Sequence, residues 1–336
     1  MNMSFMRPTG KLIHFLTWTG LSLSVLILYG CRKTDFKKVV KLETGDIYEV
    51  GASYARVQGI IADLGEGVIE HGHCWSTQEM PDIYDPCTQL GARSEAGDYV
   101  SELTGLERNT EYFIRAYAST EEETKYGNHI FVPTFGLEDY EGNGYRTILI
   151  GEQEWMQENL RSRLYFDGSE IDSALAYDLN EDFVADYGRL YSWHAAMKGT
   201  SHEGAQGVCP SGWHIPSAGE VQMMLDYLGG NEAAHLKIME EGTAHWHEDN
   251  PEVTNESGFT ALPGGHFIDR PEFGFQEMGL WSNCWTSTAF NDQVASHFFM
   301  DRWSMCHVDL EPPAPEWILY SRRRGTFFAV RCVRDE

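Results

Sequence analysis

The chain has 336 residues, with 25 Lys plus Arg against 51 Asp plus Glu, a formal net charge of −26 at pH 7. So acidic a surface repels the phosphates of nucleic acid and the headgroups of anionic lipid, and it argues against both as partners. With 42% apolar residues and 10 Trp there is enough material for globular cores. The roughly 300 residues beyond the first apolar stretch suggest about two domains.

The first stretch reads as a leader. Arg7 and Lys11 give it a positive start, residues 12–29 are apolar with scattered Ser and Thr, and it ends in Leu28-Tyr29-Gly30-Cys31. That is the pattern of a signal peptide cut before a cysteine, over residues 1–30. A spanning helix needs about 20 consecutive apolar residues, and Thr17, Thr19, Ser22 and Ser24 dilute this run. Gly30 fits the position before a lipidated cysteine, whereas Tyr29 is larger than usual there. The expectation is a lipid anchor on Cys31, at about 0.8 kcal/mol per buried methylene, with residues 31–38 as a lipidated linker. The expected place is the outer membrane, facing either the periplasm or the cell surface. Removing Arg7 and Lys11 with the leader leaves 23 basic residues against 51 acidic ones, a net charge of −28. Arg32, Lys33, Thr34 and Asp35 include a single acid, so no acidic surface-export signal follows Cys31.

Six further cysteines remain: Cys74, Cys87, Cys209, Cys284, Cys306 and Cys332. An even number in an oxidising compartment is compatible with disulfides, with about 15 connectivities open. No C-x-x-C pair occurs, so the usual spacing of a zinc ribbon or thiol redox site is missing.

Residues 39–135 read as short alternating stretches punctuated by Gly, Pro, Asn and Asp. Residues 53–60 alternate, as do residues 112–118, which predicts an all-β sandwich. The run Leu103-Thr104-Gly105-Leu106-Glu107-Arg108-Asn109-Thr110-Glu111-Tyr112 resembles the fibronectin type III family. The resemblance implies a corner tyrosine at Tyr112, its ring in the core and its hydroxyl bonded to nearby backbone. Gly72-His73-Cys74-Trp75-Ser76-Thr77 is also common in such modules of secreted Bacteroidetes-type proteins. His71 and His73 lie two apart on one strand and so share a face; two imidazoles without a third ligand seldom hold a metal, and ordinary surface histidines are the expectation.

From Asp139 the texture becomes Trp- and Gly-rich α+β. The opening Asp139-Tyr140-Glu141-Gly142-Asn143-Gly144-Tyr145 leads through Glu154-Trp155-Met156-Gln157-Glu158-Asn159-Leu160. Then come Tyr187-Gly188-Arg189-Leu190-Tyr191-Ser192-Trp193, Cys209-Pro210-Ser211-Gly212-Trp213-His214-Ile215-Pro216-Ser217, Asn255-Glu256-Ser257-Gly258-Phe259, Leu262-Pro263-Gly264-Gly265, Trp281-Ser282 and Val330-Arg331-Cys332-Val333-Arg334-Asp335. In this order they resemble the Fibrobacter succinogenes major paralogous domain, a family of exported domains, over residues 139–336. Ser192 departs from the usual Asn, Val221 from a common Trp, and Phe328-Ala329 from the usual Phe-Ser.

Read physically, Ser217 and Glu220 predict a helix start with a capping box, with Val221, Met224, Leu225 and Leu228 at helical spacing. Residues 145–150 predict a strand, with Tyr145, Thr147 and Leu149 on one face. Trp155, Trp193, Trp213 and Trp281 are expected in the core. Gly-Trp-His-Ile-Pro-Ser before a helix, with the late Val330-Arg331-Cys332, resembles the C-type-lectin-like folds. That resemblance implies that the end strands meet and that Cys209 bonds Cys332; of the cysteines left over, Cys284 would then pair with Cys306 and Cys74 with Cys87, assignments that follow from no shared motif. A free, buried Cys74 is the alternative.

The calcium-lectin signature is missing: Glu311-Pro312-Pro313 lacks the amide, and Asn291-Asp292 precedes it. A sugar could stack without metal on exposed Trp303 or Trp317. His245-Trp246-His247-Glu248 with Asp249 holds ligating residue types, but acidic, loop-like surroundings favour a solvated surface, and neither metal nor cofactor is expected. Asp172-Ser173-Ala174 resembles an O-glycosylation acceptor of Bacteroidetes, with a helix cap as the equal alternative. No H-E-x-x-H, G-x-S-x-G or phosphate loop occurs. The leading expectation is a non-catalytic binding or structural module of the cell envelope, with an envelope protein or glycan as partner. A carbohydrate-binding accessory lipoprotein is the second reading and a lipoprotein enzyme such as a glycoside hydrolase the third.

Overall fold

The computed structural model describes residues 37–303, 306–311 and 325–335, and Lys38–Glu336 forms one compact unit. The leader, Cys31 and Trp317 lie outside the described residues.

The first part holds β1 (Val40–Val50), β2 (Tyr54–Leu64), β3 (Glu70–Ser76), β4 (Gly97–Thr104), β5 (Glu111–Ser119) and β6 (Thr124–Pro133). They make two antiparallel sheets, in the orders β1-β2-β4 and β3-β5-β6. Because successive side chains point to opposite faces, Ala55 and Val57 of β2 and Leu103 of β4 turn inward. There they join Tyr112, Ile114 and Val132 from the other sheet in a single core. Full burial of such side chains is worth about 1.5–3 kcal/mol each. The Tyr112 hydroxyl accepts the Glu107 N–H at 3.0 Å, which fixes the corner before β5. Cys74 and Cys87 are bridged, tying β3 to the segment that follows it.

His71 and His73 are not surface residues, contrary to expectation. Both are buried, and both rings pack on Tyr99. His71 Nδ1 meets the Gly91 carbonyl at 2.7 Å, and His73 lies between Ser101 Oγ at 2.7 Å and the Gln58 carbonyl at 3.2 Å. The face they share is the inner one, where backbone carbonyls and the Ser101 hydroxyl supply their partners. Burial pushes the His73 imidazole down to about 4.

The second part begins with the hairpin of β7 (Leu137–Glu138) and β8 (Gly144–Tyr145), followed by β9 (Thr147–Ile150) and β10 (Gln153–Met156). The expected strand over residues 145–150 is thus broken at Arg146. Tyr145 and Thr147 are buried while Leu149 is 51% exposed. Next come β11 (Ala174–Leu175), the one-turn helix α1 (Val184–Tyr187), β12 (Leu190–Ser192) and α2 (Trp193–Ala196). Ser192 caps α2 through the Ala195 N–H at 3.2 Å, a task that the more usual Asn performs equally well. Helix α3 (Ala218–Tyr227) starts at the expected capping box, with both Ser217 and Glu220 bonds formed. Val221, Met224, Leu225 and Leu228 face the core. Helix α4 (Asn231–Ile238) follows, and then β13 (Gly264–Ile268), β14 (Gly274–Met278), β15 (Trp281–Ala289), β16 (Ala295–Asp301), β17 (Cys306–Val308), β18 (Thr326–Phe328) and β19 (Val333–Asp335).

The protein is strand-rich throughout. In the second part β19 pairs with β10, bringing the two ends of this region together. A five-stranded sheet runs β11-β12-β18-β13-β14, and β15-β16-β17 form a separate sheet. Trp155, Trp193 and Trp213 are buried in the two cores, whereas Trp281 is half-buried at an edge. Cys209 and Cys332 are bridged with Cα atoms 5.9 Å apart.

The Cys284–Cys306 pairing is overturned: both are free, buried thiols. Cys284 on β15 stands opposite Phe298 of β16, and Cys306 on β17 stands opposite Met300. The two cysteines are therefore two strand spacings apart, about 10 Å, and offset in register. That exceeds the reach of a disulfide, which requires Cα atoms within about 7 Å. Burial raises the Cys284 thiol to about 11 and that of Cys306 to about 12.

Candidate functional site

The strand alternation of β16 creates the site. Asp301 ends the strand facing outward, Arg302 turns inward, and Trp303 turns outward again. Asp301 Oδ1 accepts the Trp303 N–H at 2.9 Å, a local side-chain turn that directs the indole away from the sheet. Trp303 is 58% exposed. Its Nε1 donates to Glu248 Oε2 at 2.5 Å, which fixes the ring orientation from the opposite wall.

Arg302 holds that wall in place. Its guanidinium donates to the carbonyls of Glu240 and Gly242, each at 2.7 Å, and reaches Asp249 Oδ1 at 3.4 Å. It also lies 5.4 Å from the centroid of the buried Trp246 ring. Asn250 Nδ2 donates to the Arg302 carbonyl at 3.1 Å. Burial lowers the Arg302 pKa, against the raising influence of Asp249 and Glu240. The segment carrying Glu248 is thus pinned to the end of β16 at several points.

Glu248, Gly279, Leu280, Trp281, Asp301, Arg302 and Trp303 enclose an open cleft of about 200 Å³. Gly279 turns the chain from β14 into β15 with φ of 82°, where a Cβ would meet the His247 ring at 2.3 Å; only glycine fits there. Trp281 stands directly opposite Asp301 in the β15–β16 ladder. Its ring stacks on His266, centroids 5.8 Å apart, and meets the edge of Phe299 at 5.4 Å. His266 is wholly buried, and burial, followed by the charge of His297, pushes it down to about 4. At neutral pH Trp281 therefore rests on an uncharged ring.

Behind this wall His297 Nδ1 lies 3.0 Å from Asp309 Oδ2, with His307 Nε2 at 3.8 Å from Asp309 Oδ1. Burial pushes the Asp309 carboxyl up, but the close approach of His297 and the charges of His297 and His307 outweigh it and leave the carboxyl below its ordinary value. Among the described residues no group of three or more His, Cys, Asp or Glu is arranged to hold a metal ion.

The sequence-predicted sites fare unequally. Trp303 is exposed and lines the cleft. The His245–Asp249 cluster is dispersed: His245 Nδ1 meets Glu240 Oε1 at 2.7 Å, Trp246 is buried, Glu248 enters the cleft and Asp249 pairs with Arg302. The solvated-surface reading holds for His247, Glu248 and Asp249, which are exposed, but it did not anticipate that Glu248 lines the cleft. Ser173 is half-buried in the turn before β11, beside exposed Asp172. Trp281, assigned to the core from sequence, is the second aromatic wall. Asp301 was not singled out, although the spacing Asp301-Arg302-Trp303 is that of a side-chain turn.

What this arrangement offers is two indoles, two carboxylates and an open mouth. Indole faces take apolar C–H surface, and the carboxylates accept hydrogen bonds from hydroxyl or amine groups.

No curated protein matches the chain. Solved structures similar over a small part of it include two forms of one sensor domain. The sensor domain of the anti-sigma factor RsgI4 in Pseudobacteroides cellulosolvens is 12% identical with a TM-score of 0.24, covering 29% of this chain and 75% of that one. A shorter form of that sensor domain is 13% identical with a TM-score of 0.22, covering 29% and 96%. At these scores the likeness carries no argument about fold or function. The Fibrobacter succinogenes major domain family matches residues 148–334, which include every wall of the cleft, the Cys209–Cys332 bridge and the pairing of β10 with β19. The chain belongs to the Fibrobacter succinogenes major domain family.

Proposed function

We propose that this chain is a cell-envelope lipoprotein, anchored through Cys31, that binds carbohydrate without catalysis in the cleft between Trp281 and Trp303. The observation that carries the reading is the Trp303 indole, 58% exposed yet fixed by Glu248 and Asp301. A large exposed aromatic ring held in one orientation loses little conformational freedom when a flat ligand stacks on it. Residues 39–135 serve as a fibronectin type III-like spacer, supported by the Tyr112 corner. The C-terminal domain is read as C-type-lectin-like, supported by the meeting of its end strands and by the Cys209–Cys332 bridge.

A glycan array probed with the full-length chain in detergent, with and without calcium, tests the binding reading. Binding should be independent of calcium, and Trp303→Ala should weaken it about 10- to 100-fold, the cost of losing one stacked aromatic surface. Array signals equal for the wild-type chain and Trp303→Ala would move the ligand site elsewhere.

Among the described residues no helix is long and apolar enough to cross a membrane. What supports lipid on Cys31 as the anchor is the sequence pattern of a positive start, an apolar run diluted by Thr17, Thr19, Ser22 and Ser24, and Gly30 before the cysteine. Cys31→Ser should shift the protein from the membrane fraction to the soluble one. An uncleaved Cys31→Ser chain that sediments with membranes as tightly as the wild type would show that the N-terminal segment itself is the anchor.

A further inference from the structure

The charge of the cleft narrows the ligand. Both acidic walls, Glu248 and Asp301, stand beside the exposed Trp303 ring. Among the described residues that line the cleft the cationic one is Arg302, whose side chain is only 4% exposed and gives its guanidinium to the Glu240 and Gly242 carbonyls and to Asp249. Among the described residues of the cleft, an incoming anion would meet two carboxylates and no accessible guanidinium. The indole N–H of Trp303 donates to the Glu248 carboxylate, and a hydrogen bond to an anion enriches the electron density of the ring. The negative face of an indole is the best side-chain partner for a cation, and enrichment strengthens it.

We propose that the cleft selects amine-bearing glycans, receiving the ammonium of a 2-amino sugar between Glu248 and Asp301 while the sugar ring lies on Trp303. The assignment rests on the carbohydrate-binding reading and adds the chemical class of the sugar. A lysine side chain would satisfy the carboxylates, but its flexible stem has no flat face to match two indoles. The C–H face of a pyranose does.

The test is calorimetry on the full-length chain in detergent with four probes: a glucosamine hexamer, cellohexaose, a galacturonate hexamer and a tri-lysine peptide. At low salt the glucosamine hexamer should bind about tenfold more tightly than cellohexaose, the combined effect of one cation–π contact and exposed charge pairing. The difference should collapse at 1 M salt, where the screening length falls to about 3 Å. Glu248→Gln and Asp301→Asn keep an acceptor for the Trp303 N–H groups, so an unchanged near-ultraviolet circular dichroism spectrum is expected of both. Each should weaken glucosamine binding more than cellohexaose binding, so that the ratio of the two affinities falls toward one. Equal affinity for glucosamine and cellohexaose overturns the charge assignment and leaves the carbohydrate reading standing. Tighter binding of galacturonate, or tri-lysine binding as tight as that of the amino sugar, also overturns it. Absence of binding to all three sugars removes both readings together.

Discussion

Replacing Cys209 and Cys332 together by alanine should lower the stability of the second part of the chain by about 4–5 kcal/mol. The bridge closes a loop with a sequence separation of 123 residues. In the chain-entropy account a loop of about 100 residues is worth about 4.7 kcal/mol through restriction of the unfolded state. Both cysteines are fully buried in one core with Tyr191, Trp193 and Trp213, so alanine removes little beyond the cross-link. For a region of this size the loss corresponds to a fall of about 10–20 °C in Tm. Cys74 and Cys87, only 13 apart in sequence, give a smaller effect because a short loop restricts the unfolded chain less. Scanning calorimetry on both double variants compares them directly. An equal or larger loss from Cys74→Ala with Cys87→Ala would show that loop length does not govern the stabilisation here.

The parts of this structure that were legible in the sequence are those fixed by short-range rules. Ser217 and Glu220 define a helix start because each side chain satisfies a backbone N–H three residues away, and the pair forms as expected. Tyr112 is legible because its hydroxyl reaches a backbone group only five residues upstream. What was not legible depends on register or on distant neighbours. Cys284 and Cys306 looked pairable until β16 came between them. His71 and His73 looked exposed, but Tyr99, the Gln58 carbonyl and Ser101 come from other strands to enclose them. The cleft falls in the same class. Trp303 was visible as a stacking candidate, yet its opposite wall is 55 residues earlier in the chain. That wall is placed by Arg302, whose partners are backbone carbonyls that no sequence pattern names.

The family's scattered landmarks converge on one buried guanidinium, and Arg331→Met should cost about 3–5 kcal/mol, the range found when one partner of a buried charged network is removed. Arg331 is 3% exposed. Its Nε donates to Asn159 Oδ1 at 2.8 Å, Nη2 to the Thr260 carbonyl at 2.9 Å, and Nη1 to the Phe259 carbonyl. The guanidinium also sits over the Phe259 ring, 4.4 Å from its centroid. Asn159 in turn donates to the Tyr187 carbonyl at 2.8 Å. The opening motif, the Tyr187-Gly188 turn, the Gly258-Phe259 segment and the C-terminal Val330-Arg331-Cys332 are therefore held by one hydrogen-bonded node, although Asn159 and Arg331 are 172 residues apart. Methionine fills much of the volume but leaves the three acceptors without donors, each costing about 1–3 kcal/mol when buried. Arg331→Lys should recover little, because an ammonium cannot match the fixed planar fork that reaches three directions at once. Chemical denaturation of Arg331→Met, Asn159→Leu and the double variant tests the node. The double variant should lose less than the sum of the two single losses, by about 1–3 kcal/mol, since each single change already strands the other's partner. Strict additivity would mean that Asn159 and Arg331 act independently, and the convergence of these motifs would then be a matter of position without energetic coupling.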